Sequence, residues 1–247
     1  MSDGVRLGAR FSLATNRLNY CGPEGAEELL HRAIVTGEGV AEAQRALARF
    51  EALVPYLDAI ASKHGLDRFD PEVVEAYWIG NALLDPFERS DFVRILGELV
   101  QRGLPRALAD RLAADLPERP LPHHMFHVAY VGVGNVTGHV TTTLANIEAC
   151  RPAWATVTTV GAGRLGIDRP ALVTDGDRLA LGAPQRSELA YDPRLLPNVR
   201  PDDSVAVHWG MPVLQLSEEQ LQRLRYWTLA ALDAVGHAGG GFPRGPG

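Results

Sequence analysis

The sequence predicts an α+β protein, with an α-helical domain over residues 1–149 and a small β-barrel with a C-terminal helix over 150–236. Three observations predict it. Apolar residues recur at helical spacing from about residue 24 to residue 116. After Cys150 the period gives way to short segments rich in β-branched residues, separated by Gly, Asp and Pro. A last amphipathic stretch opens on Ser217 with Gln220 three residues later, the spacing of a capping box.

Each element has its own signal. "EGAEELLHRAIVTG" is helical and ends at Gly37. "GVAEAQRALARFEALVPYLDAIASKHG" keeps the 3.6-residue period to Gly65, with a kink or break expected at Pro55. "DPEVVEAYWIGNALL" has Asp70 as N-cap and Pro71 at the first helical position. "ERSDFVRILGELVQRG" and "PRALADRLAADL" complete the set, and "PERPLP" breaks the chain. "LPHHMFHVAYVGVGNVTGHV" follows over 121–140, and "HVTTTLANIEAC" reads as one more short helix leading to Cys150. Strands are expected at "AWATVTTV", "RLGIDRPALV", "RLALG", "QRSELAYD" and "DSVAVHWGMPVLQL", then the helix "SEEQLQRLRYWTLAALDAV". Residues 237–247, rich in glycine, are expected to be a disordered tail.

Composition excludes several classes. In 247 residues, 46% hydrophobic and 22% charged side chains are those of a soluble globular protein. A net charge of −6 without a Lys/Arg stripe argues against nucleic-acid binding. No apolar run approaches the roughly 20 residues that span a membrane. "MSDGVRLGARFSL" has neither the apolar core nor the cleavage site of a signal peptide, and Cys21 and Cys150 are too few for a disulfide framework, so a cytoplasmic location is expected. "GAGRLG" at 161–166 matches a dinucleotide-binding string, but "IDRPALV" after it opposes the required helix. It reads as a hairpin turn, and no NAD or flavin is expected.

Several residues can carry chemistry. Cys21 precedes Gly22-Pro23, a turn that would set its thiol near a helix N-terminus, where the dipole favours thiolate. Asn16, Arg17 and Asn19 can hydrogen-bond the same turn. Glu75 is a carboxylate within an apolar segment, a candidate ligand or base, while Tyr77 and Trp78 beside it read as packing residues. Four of the eight histidines fall within 121–140. On a helix or on a strand, His123 and His127 share one face, as helical metal pairs do. Metal candidates are therefore His123, His127 and Cys21; His124, Glu75 and Cys21 are candidates for acid–base work.

From Cys150 to about Val235 the chain resembles the HypC/HupF family of nickel–iron hydrogenase maturation chaperones. Members of that family begin Met-Cys and carry a G-D-(Y/W)-V-L-V-H-V-G-F-A stretch before an acidic helix opener. Here "CRPAWATVTTV" sets Cys150 at the place of the cysteine, and "PDDSVAVHWGMPVLQLSEEQ" sets His208 and Gly210 on the histidine and the following glycine. The resemblance implies an OB-like barrel in which Cys150 and His208 bind iron carrying diatomic ligands. It also implies docking to hydrogenase maturation proteins or the hydrogenase large subunit. This chain departs from the pattern in three places: Cys150 is internal and offers no free amine, "RPDDS" replaces the usual Gly-Asp, and Met211-Pro212 replaces Phe-Ala. The front half resembles an uncharacterised prokaryotic two-domain family in which "RFSL..NRL.YCGP" and "HH.FHV" recur. Three functions stand open at this point. One is an iron chaperone for hydrogenase maturation. The second is a metal-dependent enzyme in the helical domain that makes or processes a small ligand for the hydrogenase centre, and the third is a non-catalytic interaction protein.

Overall fold

A computed structural model describes residues 2–236; the expected tail over 237–247 lies outside the described residues. The chain order is α1 (Ser2–Arg17), α2 (Glu27–Val35), α3 (Val40–Leu47), α4 (Val54–His64), α5 (Pro71–Trp78), a 3-10 turn (Ala82–Leu84), α6 (Arg89–Val100) and α7 (Arg106–Ala114). Next come α8 (His124–Phe126), which runs on as a π-helical turn over His127–Gly132, and α9 (Leu144–Cys150). Strands β1 (Ala153–Gly161), β2 (Arg164–Asp175), β3 (Arg178–Ala190), β4 (Ser204–His208) and β5 (Met211–Gln215) follow, and α10 (Glu218–Gly236) closes the order. No helix among the described residues is long and apolar enough to cross a membrane.

Local chemistry explains several helix ends. Asp70 accepts the Glu72 N–H at 2.9 Å and Pro71 opens α5. Ser217 and Gln220 bond each other's backbone N–H reciprocally at the start of α10. Pro55 lies in the first turn of α4, so the long periodic segment divides into α3 and α4 instead of kinking. Helix α1 has no counterpart in the expected elements, because Gly4 and Gly8 weaken its helical signal. Packing compensates: a Cβ on Gly4 would lie 2.1 Å from the Phe69 carbonyl oxygen, so glycine lets α1 sit directly on the loop before α5.

The five strands form one antiparallel sheet in the order β3-β2-β1-β4-β5. "GAGRLG" is its β1–β2 hairpin, with Gly161 paired to Arg164. "RLALG" and "QRSELAYD" join into the single strand β3, which pairs with β2 across a bulge near Pro170. The sheet is open. The closed OB-like barrel is not formed, because the edge strands β3 and β5 approach without hydrogen-bonding, and five-residue β5 is too short to seal thirteen-residue β3. Helix α10 packs on β1, β3 and α8 instead. The buried apolar side chains run as one cluster from Val5 to Val235, through both the helices and the sheet. Residues 120–133 are buried without interruption and form the axis of that core.

Candidate functional site

Three chain segments converge on one point. Helix α9 is capped by Thr143, whose hydroxyl accepts the Asn146 N–H, and it ends at Cys150. Pro152 forces Arg151 into extended backbone, which stops the helix there. Cys150 is therefore the last residue of α9. His208 ends β4, immediately before a two-residue turn in which Trp209 (φ 49°) and Gly210 (φ 69°) are both left-handed. That is a type I′ hairpin, matched to the twist of its strands. The Trp209 N–H donates to the Ala149 carbonyl at 2.6 Å and pins the turn against the end of α9. From α8, His124 Nε2 reaches the Cys150 carbonyl at 3.0 Å.

An anchor on the far side holds Cys150 in place. The buried Arg151 guanidinium binds Glu148 at 2.7 Å and the Pro170 carbonyl at 2.5 Å. Glu148 also accepts the Leu172 N–H and pairs with Arg169 at 2.9 Å. The pair fastens α9 to β2 with most of its polar atoms satisfied, which is what makes a buried ion pair tolerable.

The ligating atoms of His124, Cys150 and His208 all lie within 4.8 Å of one another, and all three residues are buried. Such a group could hold a metal ion. Bonds of about 2.3 Å to sulfur and 2.05 Å to nitrogen, at a tetrahedral angle, separate the two donors by about 3.6 Å. Cys150 Sγ and His124 Nε2 are 3.6 Å apart. His208 is prepared as a donor: its Nδ1–H donates to the Phe11 carbonyl at 2.6 Å, leaving the Nε2 lone pair free. That Nε2 is buried and has no partner, a costly state that a bound cation relieves. His124 Nδ1 meets the Tyr77 hydroxyl at 2.8 Å. In the metal-free protein Nε2–H donates to the Cys150 carbonyl and Nδ1 accepts from the Tyr77 hydroxyl; binding an ion at Nε2 requires the other tautomer, with Nδ1–H donating to Tyr77 instead.

Burial keeps the whole cluster uncharged. Desolvation holds His208 and His127 down to about 4 and His123 to about 3, and it places His124 well below the ordinary histidine value. The neighbouring imidazoles push His124 further in the same direction. Desolvation also raises the Cys150 thiol, an effect opposed by the nearby Trp209 indole. The site thus offers neutral imidazoles and a protonated thiol, and a metal that takes the thiolate must release its proton.

A cavity of about 60 Å³ adjoins the cluster, room for a few water-sized groups. His124, His127, Cys150, His208, Cys21 and Trp209 are among the residues that line it. His127 is oriented like His124, with Nδ1 on the Tyr56 hydroxyl at 2.8 Å, and the two rings stack at 6.1 Å. Placing His124 and His127 on one face is the work of their three-residue spacing around the π turn. His123 lies apart from them: it caps α8, with Nδ1 accepting the Met125 N–H at 3.2 Å, and it does not line the cavity. Glu75 is also elsewhere, bonded to Gln220 and Arg223 of α10. Cys21 faces the cavity, but its thiol is raised to about 12 by burial and by the Glu51 carboxylate, the reverse of the helix-dipole expectation. Asn16 holds the Cys21 turn as foreseen, through the Cys21 and Pro23 carbonyls.

Tyr77, Tyr56, Trp209 and the Phe11 carbonyl complete the site and were not expected there. A signal for the tyrosines did exist. A tyrosine in an otherwise apolar helical run needs a buried partner for its hydroxyl, and histidines were the polar groups at hand.

Residues 1–239 match the model of a family described as DUF6390, a family of unknown function. No curated protein and no solved structure matches the chain.

Proposed function

The chain belongs to the DUF6390 family, and we propose that it binds a transition-metal ion through His124, Cys150 and His208 and serves as a metal carrier. In its specific form the proposal is an iron chaperone for nickel–iron hydrogenase maturation, which receives iron with small ligands and passes it to maturation proteins or the large subunit. One observation carries the metal reading: a cysteine and two histidines from three separate elements converge within 4.8 Å, with the His208 lone pair buried and unpartnered. The donor chemistry supports iron, since imidazole and thiolate both suit it. The Cys150/His208 pair expected from the HypC/HupF resemblance supports the hydrogenase form, with His124 added to it.

The test is anaerobic purification of the full chain followed by metal analysis. Wild type should carry close to one equivalent, and a Cys150→Ala, His208→Ala double variant should carry almost none. Equal and negligible metal in both would refute the proposal. Capture of a hydrogenase large subunit by the wild type, lost in the double variant, is the expected result for the maturation form.

A second reading rests on the cavity. Three protein donors and an adjoining space for small molecules are the arrangement of a catalytic metal, which keeps a position open. The protein would then be a metalloenzyme acting on a small, one-carbon-sized molecule. Metal that stays bound while such a substrate turns over favours the enzyme; metal that leaves to a partner favours the carrier.

A further inference from the structure

The cavity holds a second thiol that the three-donor cluster leaves out. We propose that Cys21 is the fourth protein ligand, so that the loaded protein holds its metal with two thiolates and two imidazoles. This rests on the metal reading above and specifies its coordination.

Four observations lead to Cys21. Its side chain lines the same cavity as His124, Cys150 and His208. His208, whose Nε2 is buried and makes no hydrogen bond, lines that cavity too. The chain has two cysteines, 129 positions apart, and the fold brings both to one small space. Finally, the backbone that carries Cys21 is fixed by Asn16 and by the Gly22 N–H on Glu51, while its thiol meets Glu51 Oε2 at 3.5 Å and the backbone of Glu51 and Ala52, contacts that a metal–sulfur bond would replace. The Cys21 sulfur is not among the atoms within 4.8 Å of one another. Rotation between staggered χ1 wells sweeps a cysteine sulfur through about 3 Å, and ligation by Cys21 requires such a swing toward the cluster.

His127 is the rival fourth donor, and geometry disfavours it. Two nitrogens on one tetrahedral ion at about 2.05 Å lie about 3.3 Å apart, which requires converging rings. The rings of His127 and His124 are nearly parallel, 21° between planes with centroids 6.1 Å apart, and Tyr56 and Tyr77 anchor each separately. They do not converge.

The chemistry balances without an oxidant. The S–H bonds of Cys21 and Cys150 break as two metal–sulfur bonds form; the Cys21 proton passes to the Glu51 carboxylate in contact with the thiol, and the Cys150 proton is released to the buffer as the metal binds.

X-ray absorption on the full chain, loaded anaerobically with one equivalent of zinc, reads the donors directly. Wild type should show two sulfur neighbours at about 2.3 Å with the remainder nitrogen or oxygen. Cys21→Ala and Cys21→Ser should each show one, and should bind zinc at least about tenfold more weakly against a chelator. One sulfur in wild type, with the same spectrum in the variants, overturns the role of Cys21 and leaves the three-donor site standing. Two sulfurs in wild type that persist in Cys21→Ala overturn it as well. No zinc retained by wild type refutes the metal reading itself.

Discussion

Acidification from pH 7.5 to pH 5 should destabilise the metal-free protein steeply. The buried imidazoles titrate at about 6.5 once unfolded, but burial holds His208 and His127 to about 4 and His123 to about 3 in the fold. A depressed folded value means that the unfolded state binds more protons. The stability these groups contribute is therefore complete above pH 6.5 and is lost as pH falls from 6.5 toward 4. At pH 5 each ring costs about 2 kcal/mol, so the three together cost about 6 kcal/mol, and His124 adds to the loss in the same direction. A domain stable by about 5–15 kcal/mol would lose a large share of that. Urea unfolding followed by tryptophan fluorescence at pH 7.5, 6.5, 5.5 and 5 measures it. The free energy of unfolding should fall by about 4 kcal/mol per pH unit below 6.5, and His127→Gln should lower that slope by about 1.4. A change of less than about 1 kcal/mol between pH 7.5 and 5 would refute the argument, because it would mean that the rings are hydrated or already charged in the fold.

Three further outcomes separate the site from its scaffold. Tyr77→Phe removes the hydroxyl on His124 Nδ1 and keeps the packing; metal affinity in a chelator competition should drop about 10- to 100-fold, with Tyr56→Phe much milder. Gly210→Ala strains a left-handed turn residue next to His208, costing about 1–2 kcal/mol and weakening metal binding, whereas Gly176→Ala in the β2–β3 turn carries similar strain and should leave binding unchanged. Glu75→Gln should lower stability by less than about 1 kcal/mol through its partly exposed pair with Arg223, with full metal content on analysis.

The sequence by itself determined whatever short-range chemistry controls. Asp70 with Pro71, Ser217 with Gln220 and the Gly161–Arg164 turn are local agreements between side chain and backbone, and each forms where its spacing says. The run of helices followed by strands was legible on the same terms, whereas Cys150 and His208 were singled out by the HypC/HupF resemblance and His123 and His127 by their spacing. Only the tertiary structure decided how they meet. Helix α1 forms against its weak propensity because burial and close packing outweigh two glycines. The sheet stays open because strand lengths, a property of pairing, do not allow closure. His124 and not His123 joins Cys150 and His208, since one helical residue is 100° of rotation, and the cap at His123 settles which ring turns inward. Periodicity relates neighbours along one element. Convergence of α1, α5, α8, α9 and the β4–β5 turn on one cavity depends on packing between residues up to 197 positions apart, as the bond from His208 to the Phe11 carbonyl illustrates, and no local pattern encodes that distance.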